Sequence, residues 1–414
     1  MNKQSMYNIV QPLENGALLV YNTFSEAMVT MRKDYYEQYV ERCEEGEDTK
    51  RLLEMGFITD SSVDEYFRVL CNKRTVKYTG DKKISNIKVM VTSGCNARCW
   101  YCFEKNIQKK RMTSETVDAF IAFLLKYGDK NGLHIAWFGG EPTLEKNTIE
   151  KVSEALLENG FKITCSIVTN GYLFTEDFIQ VLLKYNLNHV QITLDGLQDE
   201  YNKVKNYAVA DENPFQTVIE NIRVATNYNF HTSIRLNFCK SNVQDIKAII
   251  SFLYETFGNK IGVYVAPITG VKDDLHTIGD AYLVLFEKLL ECGYITKLSQ
   301  AHLQAIPIYC GAEIMNFYTV TPDGYLYKCS QEVSAKTHHR AVGNIYTGPV
   351  INEVLKEWLD EENVEECKAC KLLPVCQQGC RGYRLGIESL DYSCIPTKYI
   401  FGDIIKKMYQ LKKK

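Results

Sequence analysis

SGCNARCWYCFEK, residues 93–105, sets Cys95, Cys99 and Cys102 within eight positions. It follows the β-rich run IKVMVT (87–92) directly. Three thiolates leave a tetrahedral zinc site one ligand short, unless a distant residue completes it. In a [4Fe–4S] cluster, which takes one thiolate per iron, three cysteines leave one iron open to a non-protein ligand. A loop of this composition at a strand end therefore points to metal, and the chain around it decides which fold carries it.

The run 87–92 is the first of six. HIAWFGG (134–140), ITCSIVTNG (163–171), HVQITLDG (189–196), TSIRLNFC (232–239) and IGVYVAP (261–267) follow. Helical patterns such as SETVDAFIAFLLKYG (114–128), NTIEKVSEALLENG (147–160) and VQDIKAIISFLYETFG (243–258) separate them. Serial strand–helix units imply a parallel sheet with outer helices. Such sheets carry their sites at the C-terminal strand ends. Several of these ends bear turn-forming polar signatures: Trp137-Phe138-Gly139-Gly140-Glu141-Pro142, Thr169-Asn170-Gly171 and Thr193-Leu194-Asp195-Gly196. Glycines permit close backbone approach, and a carboxylate can accept from an ammonium.

The chain has 414 residues, long enough for two or three domains. A net charge of −3 gives no reason to expect nucleic acid as a partner. No apolar run approaches a membrane span, and the N-terminus lacks a secretion-signal layout, so a cytoplasmic protein is expected. Fifteen cysteines stand out against that reducing setting. Ten fall into groups, while Cys43, Cys71, Cys165, Cys239 and Cys292 are scattered and read as small hydrophobes. The C-terminal group is Cys310, Cys329, Cys367, Cys370, Cys376, Cys380 and Cys394. It holds one CxxC knuckle where a zinc ribbon needs two.

The CxxxCxxC loop, with Tyr101 before its last cysteine, resembles the signature of radical S-adenosylmethionine enzymes. The GGEP, TNG and DG strand ends are similar to that family's further elements. The seven later cysteines resemble the SPASM-type domain, and the likeness covers about residues 87–396. It implies a partial (β/α)6 barrel, an α/β fold, in which Cys95, Cys99 and Cys102 hold a [4Fe–4S] cluster. S-adenosylmethionine would meet Tyr101, Gly139, Gly140, Glu141, Pro142, Thr169, Asn170, Thr193, Asp195, Arg235, Asn237 and Val265. Two further [4Fe–4S] clusters are implied. Cys310, Cys329 and Cys380 would supply three ligands to one, and Cys367, Cys370, Cys376 and Cys394 would fill the other. AHLQAIPIY (301–309) carries no cysteine to complete the former set, and Cys292 would have to fold back. Relatives often place an Arg about nine residues after the DG; here Lys205 stands there.

Residues 1–85 read as a hairpin from GALLVYNTF (16–24) and AMVTM (27–31), then two helices around an acidic break. This outline is similar to the winged-helix-like module with which maturases of ribosomally made peptides bind a leader by strand addition. Its acidic run, Glu44 to Asp48, disfavours DNA, and a purely structural cap is the alternative. The expected domains are 1–85, 86–270, a bridging helical segment 271–309, and 310–414.

The resemblance implies a peptide-modifying radical enzyme, with a flavodoxin- or ferredoxin-like protein as electron donor. A cysteine thioether is the favoured product. The alternatives are a C–C or C–O cross-link, an oxidation of the sulfatase-maturing kind, or a metal-stabilised binding module without turnover. The sequence proposes Tyr264, Tyr325, Tyr327 and Cys239 only as acid–base candidates.

Overall fold

The computed structural model describes residues 1–78, 83–208, 212–271, 273–297, 310–333, 339–360, 364–387 and 394–411. Most of the GDKK stretch (80–83) ahead of the central sheet, and AHLQAIPIY (301–309), lie outside the described residues.

Five short strands open the chain. Strand β1 (Asn2–Gln4) pairs antiparallel with β5 (Ile58–Asp60), while β2 (Asn8–Pro12), β3 (Leu18–Asn22) and β4 (Met28–Met31) form an antiparallel sheet in that order. The hairpin expected at 16–31 is β3–β4. The first expected helix is short, Lys33–Tyr36, and continues as a wide π turn, Glu37–Glu41. The second spans Thr49–Glu54. A third helix, Glu65–Tyr78, was not foreseen. It lacks an apolar stripe because it is held by ion pairs. Lys73 Nζ and Lys77 Nζ lie 2.8 and 3.3 Å from Glu313 Oε2, with all three side chains buried. Lys73 also donates to the carbonyl of Gln377.

The central sheet has eight strands in the order β11-β10-β9-β8-β7-β6-β12-β13. Strands β6 (Asn86–Thr92), β7 (Leu133–Gly139), β8 (Ile163–Thr169), β9 (Leu187–Leu194), β10 (His231–Phe238) and β11 (Gly262–Pro267) are parallel. Their intervening helices start at side-chain caps where the sequence supplies them. Thr113 accepts from Thr116 N ahead of Ser114–Tyr127, Asn213 from Gln216 N ahead of Pro214–Ala225, and Asp274 from His276 N and Thr277 N ahead of Leu275–Glu291. Strand β12 (Tyr318–Val320) adds parallel to β6, and β13 (Leu326–Tyr327) antiparallel to β12. The sheet thus runs past the expected boundary at 309/310.

Strand alternation gives the sheet two unlike faces. Ile87, Val89, Ile135, Trp137, Cys165, Ile167, Val190, Ile192, Ile234, Leu236, Val263 and Val265 belong to one large apolar core with the helices. The other face carries Lys88, His134, Ser166, His189, Gln191, Thr193, Arg235, Asn237 and Tyr264. Parallel strands buried on both sides read as continuous apolar runs. Here a polar inner face marks the side on which chemistry is placed. The N-terminal module packs on the C-terminal part through Leu19, Tyr21, Leu372, Val375, Phe401 and Ile405. Among the described residues no helix is long and apolar enough to cross a membrane.

Candidate active site

Strand β6 feeds straight into the three-thiol loop. Ser93 N donates to Lys110 O, and Ser93 Oγ to Gln108 O, closing the loop's base. The end of β7 grips its start: Gly140 N donates to Thr92 O at 3.0 Å and Glu141 N to Gly94 O at 2.9 Å. A Cβ on Gly140 would sit 2.2 Å from Gly94 O, and one on Gly139, at φ +121°, 2.2 Å from Thr92 O. Both glycines are therefore required by the loop that carries Cys95. Gly140→Ala is expected to push that loop outward, at a cost of about 1–3 kcal/mol. Thermal melting and iron per chain after anaerobic reconstitution should both fall. An unchanged iron content would refute this coupling.

Glu141 is fully buried. Its Oε1 accepts from Thr143 N, Thr143 Oγ1 and Thr169 Oγ1, and its Oε2 from Asn170 N at 2.8 Å. Burial pushes its pKa up, and these donors pull it part of the way back. The carboxylate thus joins the ends of β7 and β8. Asn170 reaches the loop in turn, donating through Nδ2 to Asn96 Oδ1 at 2.7 Å.

The far side of the loop rests on the chain after β9. Arg98 N donates to Lys205 O, and Ala208 N to Asn96 O. Lys205 Nζ stands 2.8 Å from Asp195 Oδ2, with both side chains nearly inaccessible. Asp195 Oδ1 accepts from Tyr101 OH at 2.7 Å and Asn237 Nδ2 at 3.1 Å. Arg235 Nε donates to Asn237 Oδ1 at 2.9 Å. Lys205 thus serves as the counter-ion of Asp195. Tyr101, Asp195, Asn237 and Arg235 form one network. Thr193 lies half-buried on the same face. Val265 points into the helix-side core, which leaves its backbone alone facing inward. Of the acid–base candidates, Tyr264 donates to Gln191 Oε1 at 2.5 Å, and Cys239 Sγ pairs with Ser241 Oγ at 3.2 Å.

The ten grouped cysteines are all free and half-buried. Cys95, Cys99 and Cys102 sense one another's charge. Cys310 likewise senses Cys380, and Cys329 senses Cys310, while Cys367 and Cys376 sense Cys370 and Cys394. Burial pushes Cys95 and Cys376 up to about 12 and Cys367 to about 11, so their bare thiols stay protonated at neutral pH. A coordinating metal deprotonates a thiol outright. Among the described residues no three His, Cys, Asp or Glu side chains close around a single ion. The donor set instead fits iron–sulfur ligation. Backbone N–H groups two residues on point at the sulfurs of Cys95, Cys102, Cys310, Cys329 and Cys380. Hydrogen bonds of this kind stabilise cluster sulfur. Cys292 is buried at the end of its helix in the large core, beside Lys288 and Glu255, whereas Cys310 packs against a separate cluster with Ala312 and Trp358.

Two charged groups escaped the sequence reading. Glu104 is 3% exposed, and burial pushes its pKa up to about 7. Lys88 lies on the inner face, where burial lowers its pKa. Their positions, two residues after Cys102 and within the strand before Cys95, were the available signal.

Residues 89–253 match the Radical SAM superfamily. The radical SAM cyclopropyl synthase TigE of Paramaledivibacter caminithermalis is 26% identical over 278 residues, 59% of this chain and 56% of TigE. A probable GTP 3′,8-cyclase of Methanocaldococcus jannaschii is 28% identical over 177 residues, 41% of this chain and 55% of that protein. The matched stretch thus spans about half the length of these curated relatives. Among solved structures, anSMEcpe with bound AdoMet has a TM-score of 0.59 at 19% identity, covering 78% of this chain and 92% of that one. Streptococcus suis SuiB bound to precursor peptide SuiA has a TM-score of 0.52 at 15% identity, covering 95% and 98%. At these identities the likeness is one of fold.

Proposed function

We propose that this chain, a radical SAM domain set between an N-terminal strand-edge module and a cysteine-rich C-terminal region, is a maturase of a ribosomally made peptide. The observation that carries this reading is a groove of about 300 Å³ beside β4. It is lined by Val29, Thr30, Met31, Tyr35, Arg51 and Met55. Among the described residues β4 is an unpaired sheet edge, with the helix Thr49–Glu54 forming the groove's other wall. An extended leader adding to that edge would gain main-chain hydrogen bonds from β4 and side-chain contacts from the helix. Two solved neighbours, SuiB bound to precursor peptide SuiA and anSMEcpe bound to Cp18Cys peptide, support this reading.

Cys95, Cys99 and Cys102 would hold a [4Fe–4S] cluster, which with S-adenosylmethionine supplies a 5′-deoxyadenosyl radical able to take a hydrogen atom from an unactivated carbon. The protein's own work is to fix the loop. The Gly139–Glu141 turn and the Asp195–Lys205 pair hold it from two sides, and Tyr101, Asn237 and Arg235 line the approach. In the favoured product a substrate carbon bonds to a cysteine sulfur. That closure gives up one hydrogen atom, one proton and one electron. Cys310, Cys329 and Cys380, with Cys367, Cys370, Cys376 and Cys394, would hold the groups able to receive the electron. The external electron donor would be a small flavin or iron–sulfur protein.

The test is tandem mass spectrometry on a Cys-containing peptide encoded beside this chain, incubated with reconstituted protein, S-adenosylmethionine and reductant. Loss of two hydrogens with one cysteine no longer alkylatable supports the thioether. Loss of two hydrogens with every cysteine alkylatable moves the product to a C–C or C–O cross-link or an oxidation. The leader site has its own test. Successive N–H groups of a strand point to opposite sides, so one of Val29→Pro and Thr30→Pro removes an outward donor. That variant is expected to weaken leader binding about tenfold or more in fluorescence anisotropy, with iron content unchanged. Full affinity in both variants would eliminate the β4 edge as the docking strand.

A further inference from the structure

The helix Glu65–Tyr78 buries charge where an amphipathic helix buries apolar surface. Glu65, Val69, Lys73 and Lys77 recur every fourth residue along it and are all buried. Glu65 anchors the near end in the N-terminal module, its carboxylate accepting from Ser5 Oγ at 2.5 Å and Met6 N at 3.0 Å. The far end enters the C-terminal part. Lys73 Nζ lies 2.8 Å from Glu313 Oε2 and donates to Gln377 O at 2.9 Å. Lys77 Nζ lies 3.3 Å from the same carboxylate oxygen and donates to Asp360 O at 3.3 Å.

The two partners of Lys73 belong to different cysteine sets. Glu313 N donates to Cys310 O at 2.9 Å, which fixes Glu313 to the first set. Gln377 directly follows Cys376 of the second set. Val69, Leu373 and Cys367, also of the second set, share one small apolar cluster beside it. A single ammonium therefore ties one set to the other. Neutralising Glu313 does not require Lys73, because Lys77 already supplies a cation to that carboxylate. Burying ions is costly, and a buried ion pair often adds nothing to stability over apolar side chains. Two ammonium groups against one carboxylate leave a surplus positive charge, which is favourable only near something negative. An iron–sulfur group held by thiolates gains negative charge when it takes up an electron, and its potential follows the charge around it.

We propose that Lys73 is a positioning residue for electron uptake. It locks the Cys310 and Cys376 segments together and places a positive charge where they meet, so that the groups held there accept an electron more readily. The proposal rests on the reading that these cysteines hold iron–sulfur groups. It gives the N-terminal module a part in the chemistry apart from leader binding.

The experiment is a spectroscopic redox titration at neutral pH in the Cys99→Ala background, where only the C-terminal groups report. It compares the chain carrying Lys73 with Lys73→Met and Lys73→Arg. Lys73→Met leaves Lys77 as the counter-ion of Glu313, and melting and iron content check that it folds and loads. Loss of the charge should move the one-electron reduction equilibrium about tenfold toward the oxidised form, a potential about 59 mV lower. Lys73→Arg keeps the charge and the donors and should stay with the unsubstituted chain. Loosened packing alone predicts the opposite sign, since admitted water favours the more highly charged reduced form. An unchanged or raised potential in loaded Lys73→Met overturns the proposal and leaves Lys73 a packing contact. If Lys73→Met does not load, Lys73→Gln, which keeps an N–H donor without the charge, is read against the same two outcomes. A Cys99→Ala chain that holds no iron overturns the cysteine assignment, and the proposal falls with it. The peptide product is read separately by mass spectrometry, so the maturase reading stands or falls on its own.

Discussion

Cys99→Ala stops 5′-deoxyadenosine formation. The expected fall is to the uncatalysed background, at least about 10⁶-fold. Three thiolates are the fewest that leave one iron of a [4Fe–4S] cluster open while holding the other three, so none of Cys95, Cys99 and Cys102 is spare. Cys99 is the most strongly built in. Burial raises its thiol pKa, while Lys205 opposes that rise. The preceding Arg98 N is tied to Lys205 O. The Cys99 carbonyl accepts from Cys102 N, which sets the spacing of the last two thiols. Cys71→Ser, at an exposed scattered cysteine, is the control and should keep both iron and turnover. Liquid chromatography of 5′-deoxyadenosine under reductant, alongside iron analysis, reads the result. A Cys99→Ala protein with full iron and normal cofactor cleavage would refute the assignment of the loop.

The barrel was legible because its signals are periodic. Each strand alternates, each helix repeats its apolar stripe, and the cysteines cluster by spacing. What the sequence withheld depends on polar burial, which leaves no period. The helix Glu65–Tyr78 was passed over because its inward residues include Lys73 and Lys77, which look solvent-facing until Glu313 is found between them. Glu141 reads as a carboxylate offered to a ligand, yet both its oxygens are taken up by Thr143, Thr169 and Asn170. Val265 sits in a strand whose phase turns its side chain away from the inner face. The addition of β12 and β13 to the sheet was also hidden, since two- and three-residue strands carry no readable alternation. Glu104 was invisible for a different reason: only the fold reveals that it is buried with one carboxylate oxygen unpaired.

Lys205→Met costs about 3–5 kcal/mol, because it leaves Asp195 buried without its counter-ion. Both side chains are almost inaccessible, so solvent cannot screen the loss. The pH dependence follows from the sign of the shift. Burial alone would lower the lysine pKa, but Asp195, then Tyr101, Cys99 and Tyr201, raise it well above the ordinary lysine value. A lysine whose folded pKa exceeds its unfolded one contributes stability that is fully present below about pH 10.4 and is lost only as pH climbs beyond it. The destabilisation of Lys205→Met should therefore be flat from roughly pH 6 to 9. Pairing it with Asp195→Asn removes the stranded charge and should recover most of the melting temperature. It should not recover function, because Asp195 also orients Tyr101 and Asn237. Isothermal titration with S-adenosylmethionine on reconstituted protein separates the two effects: the double variant melts near wild type yet binds the ligand weakly. If the double variant regains full affinity, Asp195 is a structural counter-ion only, and the network around Tyr101 has no part in holding the cofactor.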